Sequence, residues 1–366
     1  MNYNFVGDLT HDKYIHTATG HTSLTIDKTY AYDHMSRLMS ISYLVNGANE
    51  ATLVTNDYNE LGEMVTKYLH GNVGSNFQKV DYRYNIRGWL TQINDPNNVS
   101  LSGDYFGMKL KYNDPQFTAS LNSEAQYNGN ISEIQWQNAQ TTTLSGYGFK
   151  YDDLNRLKTS HFGSGTAFTG SNAHWDENLS YDFNGNIMSL TRNAAGTNVD
   201  NLDYNYTGTG NKLNYVKDNN TTYTGEENHF KDGNPGIATD YAYDANGNMI
   251  EDKNKGITAI AYNHLNLPSL ITFGNGNTIE YIYDASGVKL QKIVKESGQA
   301  DKTTDYVGGM VYEDNARKFI ATEEGRIMLE NTPEYQYHMK DHLGNVRLTF
   351  TTASSAQQTS TYMATM

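Results

Sequence analysis

A tyrosine followed by Asp or Asn, a short turn containing Gly or Asn, and then an aliphatic residue recurs through this chain at intervals in the twenties. The copies run Tyr32-Asp33 to Leu38, Tyr58-Asn59 to Met64, Tyr84-Asn85 to Leu90, Tyr151-Asp152 to Leu157, Tyr181-Asp182 to Ile187, Tyr243-Asp244 to Met249 and Tyr283-Asp284 to Leu290. Starts lie 26 apart from 32 to 58 and from 58 to 84, and 19 and then 21 apart from 243 through 262 to 283. A drifting period of this size marks one supersecondary unit stacked many times, since such a unit cannot bury a hydrophobic face alone. Function then belongs to the assembled surface more than to a single pocket.

Between the motifs, polar residues alternate with apolar or aromatic ones, as in Thr278-Ile279-Glu280-Tyr281-Ile282-Tyr283 and Gly256-Ile257-Thr258-Ala259-Ile260-Ala261-Tyr262. A period of two with β-branched and aromatic enrichment reads as strand. Asn184-Gly185-Asn186, Asn246-Gly247-Asn248 and Ser286-Gly287 supply residues able to take the positive φ that tight hairpins require. Each repeat is therefore one β-hairpin, and about ten of them in series give a long antiparallel ribbon. Residues 313–329 come nearest to a helical pattern, and Gly325 interrupts them. The expected fold class is all-β.

Composition limits how such a ribbon can pack. Hydrophobic residues make up 37% of the chain, 29 residues are tyrosine, and mean hydropathy is -0.68. That lies below the roughly 45–50% apolar share of an average domain and predicts a thin wall in place of a solid aliphatic core. Tyrosine suits a half-wet sheet, because it offers apolar area and keeps a hydroxyl for a partner or water. The repeat-phased tyrosines are expected to form ladders across neighbouring hairpins. Lys+Arg number 27 against 41 Asp+Glu, a formal charge of -14, so the cationic patch needed to neutralise a phosphate backbone is lacking and nucleic acid is not an expected partner. No apolar run approaches the roughly 20 residues that span a bilayer as a helix. With no cysteine, disulfides and thiolate chemistry are excluded. Met1-Asn2-Tyr3-Asn4-Phe5 has no basic and long apolar region of a signal peptide, so the expectation is export by another route or a piece of a longer chain.

Tyr-Asp, a Gly/Asn turn and an aliphatic, repeated this often, resembles the YD-repeat of the RHS (rearrangement hotspot) family. Tyr306-Val307-Gly308-Gly309 through Tyr312, and then Lys340-Asp341-His342-Leu343-Gly344-Asn345-Val346-Arg347-Leu348, is similar to the opening of the RHS-associated core, whose pattern is Asp-x-Leu-Gly-x-x-Arg. Asp341, Leu343, Gly344 and Arg347 fill its fixed positions. The resemblance covers residues 30–350 and divides the chain into a repeat array over 1–305, the start of the core over 306–350, and a polar tail over 351–366 expected to be disordered or truncated. It implies a ribbon wound into a hollow β-shell around a C-terminal toxin or effector, in proteins that are secreted, displayed on the cell surface or delivered in competition between bacteria or against hosts.

In the family the core continues to an Asp-Pro-x-Gly-type motif whose aspartates release the toxin by self-cleavage. This chain reaches Met366 without that motif, so self-proteolysis is not expected. Length agrees with a fragment. A passenger of about 130 residues has a compact radius of about 18 Å, so a sheet about 5 Å further out must cover roughly 6,600 Å². At about 16 Å² per strand residue, a chain of this length covers at most roughly 5,900 Å² before turns are removed.

Other chemistry is weakly signalled. Asp182-x-Asn184-x-Asn186 and Asp244-x-Asn246-x-Asn248 begin like calcium loops, but the glycine and glutamate positions hold Ile187 and Asn193, or Met249 and Lys255, which favours turn chemistry. His338 and His342 flank Lys340-Asp341 in a strand-and-turn context without an intervening glutamate, unlike a helical zinc motif. His11, His16 and His21 are spaced by five and fall on alternate faces of a strand. There is no Gly-x-Ser-x-Gly elbow, and Gly208-x-Gly210 and Gly274-x-Gly276 lack the third glycine of a dinucleotide site. A glycosidase-like carboxylate pair cannot be assembled from sequence, and no catalytic residue, cofactor or metal is expected. Trp89, Trp136 and Trp175 are the better sugar-platform candidates. The reading is a structural segment of an RHS-type shell whose partner is the C-terminal toxin passenger of a longer parent. Its rival is a surface adhesion module that binds cell-surface glycans, and an enzyme comes third.

Overall fold

The computed structural model describes residues 1–352 apart from 49, 72–73, 100–102, 142, 170–174, 209, 221, 224–228, 236–238 and 331. The sequence-predicted tail lies outside the described residues from 353 onward. Sixteen strands follow one another in one sheet: β1 (Asn2–Tyr3), β2 (Leu9–His16), β3 (Leu24–Tyr32), β4 (Leu38–Val45), β5 (Ala51–Tyr58), β6 (Met64–Leu69), β7 (Gln78–Tyr84), β8 (Leu90–Ile93), β9 (Phe106–Lys111), β10 (Glu133–Asn138), β11 (Ser145–Tyr151), β12 (Leu157–Ser164), β13 (Glu177–Tyr181), β14 (Ile187–Ala194), β15 (Thr197–Tyr206) and β16 (Leu213–Asp218). Twelve more make a second: β17 (Tyr241–Tyr243), β18 (Met249–Asp252), β19 (Ile257–Tyr262), β20 (Pro268–Phe273), β21 (Thr278–Tyr283), β22 (Lys289–Lys295), β23 (Lys302–Val307), β24 (Met310–Glu313), β25 (Ala316–Thr322), β26 (Gly325–Met328), β27 (Glu334–Lys340) and β28 (Val346–Thr351).

Spatial order equals chain order in both sheets, and the ladders are antiparallel, as in Ile26↔Val45 and Ile279↔Val294. The all-β expectation therefore holds, with long sheets built from consecutive hairpins. Within the weakly helical stretch 313–329 the chain instead forms the hairpin β25–β26, with Ala316 to Ile320 paired to β24 and Gly325 opening the return strand.

By contact the chain divides into two compact units. Unit 1 holds Met1–Tyr112, Ile134–Ser145 and residues 321–352; unit 2 holds Asn113–Glu133 and Gly146–Ile320. Unit 1 departs from the thin-wall expectation. Leu24, Ile26, Ile41, Tyr43, Leu69, Met108 and Leu110 are buried on strands β3 to β9, as are Ile327, Tyr337, Leu348 and Phe350 on β26 to β28. Each such side chain contributes about 1.5–3 kcal/mol on burial. The low average hydrophobicity hid this because the buried aliphatics are concentrated in unit 1 while the later strands of unit 2 hold almost none. Unit 2 keeps the expected character over its later strands. Between Tyr241 and Gly309 only Asp252 is buried, so both faces of the sheet there are partly wet.

Candidate functional site

The repeated turn is one hydrogen-bonded device. In Asp33, Asn59, Asn85, Asp152, Asp244, Asn263, Asp284 and Asp341, the side-chain Oδ1 accepts the backbone N–H groups two and four residues on, at 2.8–3.1 Å. Asn4 does the same with Val6 and Asp8, and Asp182 with Asn186. The third residue after each Asx has positive φ: Gly7, Ser36, Gly62, Gly88, Asn155, Gly185, Gly247, Asn266, Gly287 and Gly344. That left-handed residue lets the flanking strands pair despite the odd residue, and each ladder shifts register at the turn, with Tyr58↔Met64 and Tyr283↔Lys289 as examples. The motif is thus a local consequence of Asx-turn chemistry.

The tyrosine links one repeat to the one before it. The hydroxyl of Tyr58 donates to the Leu38 carbonyl, Tyr84 to Met64, Tyr181 to Leu157, Tyr262 to Met249 and Tyr283 to Pro268, at 2.6–3.1 Å. Each acceptor is the residue that opens the return strand of the preceding hairpin. Tyr243 reaches Leu213, which opens β16, at 2.9 Å, and Tyr151 reaches Ile131, two residues before β10, at 2.8 Å. Tyr112 to Leu90 and Tyr206 to Ile187 add two rungs that the sequence motif missed. Tyr112-Asn113 carried the signal but an irregular loop follows it, and Tyr206-Thr207 lacks the Asp or Asn.

Ring-on-ring ladders were expected; among the described residues no two motif tyrosines stack on each other. A cation covers the ring instead. Arg37 sits 5.0 Å from the Tyr58 ring centroid, Arg156 4.5 Å from Tyr181 and Lys212 5.5 Å from Tyr243. The two arginines do three things at once. Arg37 Nε donates to Asp33 at 2.6 Å and its Nη1 to the Asn59 carbonyl at 3.1 Å, while Arg156 joins Asp152 to the Asp182 carbonyl at 2.6 and 2.9 Å. Asn248 fills the same place by bridging Asp244 and Asn266, both at 2.9 Å. Ring stacking fails because hairpins two strands apart are separated by roughly 10 Å, too far for ring contact but within reach of a guanidinium.

Hydrogen bonds hold the turn carboxyls below their usual range: the Arg37 amide on Asp33, the Arg156 amide on Asp152, the Asn186 and Asn248 side chains on Asp182 and Asp244, and the Ser286 hydroxyl on Asp284. A depressed folded-state pKa gives stability that is full above the ordinary value of 3.8 and is lost as pH falls through the folded values. The unfolding midpoint is therefore expected to drop in acid. Rung hydroxyls are testable separately: Tyr181→Phe and Tyr243→Phe should each cost about 0.5–1.5 kcal/mol in urea unfolding, and no change in either would make the rungs incidental.

Unit 1 also carries a clasp between distant segments. Glu323 and Glu324 form the tip of hairpin β25–β26. Glu323 accepts the Tyr43 hydroxyl at 2.7 Å and faces Lys28 at 3.5 Å, and Glu324 accepts Lys67 Nζ at 2.7 Å. Beside them lies a cavity of about 280 Å³ whose lining includes Lys67, Tyr82, His338, Lys340, Asp341 and His342. Asp341 gives Oδ2 to Arg347, with both nitrogen distances 2.8 Å, and Leu343 at the turn tip is exposed. Lys340 stands where the repeats have tyrosine, pairing with Val346 across the same register shift. The heptad of the core motif is thus another copy of the repeat turn.

Several other sequence candidates are engaged in local contacts. Asp182 and Asp244 spend their oxygens on turn amides and on Asn186 and Asn248. His338 bonds Thr349 at 2.9 Å, and His16 meets the Tyr14 hydroxyl at 3.1 Å. Trp89 has Arg87 at 5.0 Å and Tyr112 at 5.1 Å against its ring. Among the described residues no group of three or more His, Asp or Glu is placed to hold a metal. No helix there is long and apolar enough to cross a membrane.

No family model and no curated protein matches the sequence. Solved structures do match the fold. The Tc holotoxin pore of Photorhabdus luminescens with a mutated TccC3 aligns with a TM-score of 0.67 and 15% identity over 96% of this chain and 17% of that one. The crystal structure of TcdB2-TccC3 gives 0.64 and 13% over 95% of this chain and 20% of that one, and TcdB2-TccC3-TEV gives 0.64 and 14% over 96% and 19%. At these identities the likeness is one of fold, and this chain spans a fifth or less of the length of these three chains.

Proposed function

We propose that this chain is a stretch of wall in an RHS-type β-shell, a structural element that encloses and carries a toxic passenger within a longer, secreted or cell-surface parent. The observation that carries the reading is the series of hydroxyl-to-carbonyl rungs, which tie successive hairpins together within each of the two sheets. A wall needs this property. Its strength is a sum of nearest-neighbour terms, so no single large core is required along its length. The wet faces of β17 to β23 and the fold shared with TcdB2-TccC3 support it. Residues 306–350 are proposed as the start of the core that follows the array.

Expressing the open reading frame that contains this chain and digesting it under native conditions tests the reading. A wall leaves a C-terminal passenger fragment intact until the shell is denatured. Digestion of everything outside the sheets at one rate would overturn it. The rival adhesion module predicts saturable binding on a glycan array; the covered Trp89 ring speaks against it.

The wall reading assigns no catalysis to the chain. Proteolysis by paired carboxylates needs two groups close enough to share a proton. Asp341 is instead held ionised: burial raises its pKa, but the Asn345 side chain and Arg347 overcome this and lower it. The purified chain is expected to stay intact on prolonged incubation. A discrete fragment that vanishes in Asp341→Asn would make it an autoprotease.

A further inference from the structure

The two clasp glutamates join residues 280 and 257 positions apart, so they close unit 1 more than any local contact can. Glu324 and Lys67 are both largely shielded, at 15% and 17% side-chain exposure. Directly behind them, the Glu324 carbonyl accepts the His338 amide at 2.8 Å, and His338 and His342 both line the cavity that Lys67 and Glu324 border. The His342 Nδ1 is buried with no hydrogen-bond partner.

We propose that this clasp is an acid-released latch, in which protonation of His338 and His342 adds cations beside Lys67 and frees the β25–β26 tip from strands β3 to β6. The charges around it favour release. Lys28, Lys67, Arg326, Lys340 and Arg347 already surround the tip and cavity, and Asp341 is committed to Arg347. Glu323 and Glu324 are already paired with Lys28 and Lys67, and Asp341, which acts on His342, is held by Arg347, so two further positive charges meet the cations Arg326, Lys340 and Arg347. Phenols from the packed strands do not compensate. Burial pushes Tyr30, Tyr43, Tyr82, Tyr84, Tyr335 and Tyr337 upward, so they stay neutral throughout.

The sign follows from linkage. Burial lowers both histidines from their ordinary value of 6.5, so the folded state prefers them neutral. Stability is full above that value and is lost as pH falls from it through the folded values. The inference rests on unit 1 alone and does not need the wall reading.

Hydrogen exchange on the intact chain, corrected for the intrinsic pH dependence, tests it at about pH 7.5 and about pH 5.5. Amides of β26 and β27 are expected to lose protection by about tenfold or more at the lower pH, while β13 to β15 in unit 2 keep theirs. Glu323→Gln with Glu324→Gln should show the loss already at the higher pH, and His338→Gln with His342→Gln should resist it at the lower. Equal protection at both pH values, a loss spread evenly over both units, or acid release undiminished in the double histidine variant would each overturn the latch. If a variant does not fold, the comparison of the unmodified chain at the two pH values still decides.

Discussion

Asp341→Ala is expected to destabilise unit 1 by about 3–5 kcal/mol, the cost of stranding a buried partner of an ion pair. The Asp341 side chain has no solvent exposure and Arg347 only 14%. One carboxyl oxygen receives the Leu343 and Asn345 amides, both at 2.9 Å, and the other receives Arg347. Truncation leaves a guanidinium and two amides without their acceptor. Asp341→Asn keeps an oxygen for the amides and gives up the charge, so it should fall between alanine and the native residue. Asp284 supplies the control, because it makes the same turn on the surface without an arginine. Its alanine variant should cost about 0.5–1.5 kcal/mol. Urea unfolding followed by Trp89 fluorescence and far-ultraviolet dichroism would rank the three, and equal losses in Asp341→Ala and Asp284→Ala would refute the buried-pair argument.

The second large effect belongs to unit 2. Gly148 lies on β11, and a Cβ there would stand 2.0 Å from the Leu121 carbonyl oxygen and 2.8 Å from Leu121 Cβ. The obstruction is backbone, so no side-chain rotation relieves it. Leu121 is fully buried, and Gly163 and Phe168 close on it from the next strand and loop. Gly148→Ala should therefore cost about 3 kcal/mol or more, at or beyond the upper end of overpacking penalties, by displacing the segment around Leu121. Gly165→Ala provides the contrast. Its position has φ +84 with open space around it, so only backbone strain of about 1 kcal/mol is expected. Similar midpoints for the two variants would mean that the Leu121 segment yields freely.

The sequence by itself determined the strands, the hairpins and the chemistry of their turns. Period-two alternation and the Asx-Gly/Asn signal act within about six residues, so Asp182 to Ile187 and Asp284 to Leu290 carry their own instructions. The ionised, turn-bound state of Asp341 was legible for the same reason, with Asn345 and Arg347 close by in the chain. What the tyrosine hydroxyls bond to was not. Tyr181 and Leu157 are 24 residues apart, and the choice of a carbonyl over another ring depends on the spacing of paired strands. The concentration of aliphatics in unit 1 was hidden by averaging, since Ile327, Leu348 and Phe350 come from the far end of the chain to complete a core begun at Leu24. Glu323-Glu324-Gly325 reads locally as a polar turn. Only the tertiary structure made it a clasp, because Tyr43 and Lys67 reach it through folding and through no property of the intervening residues.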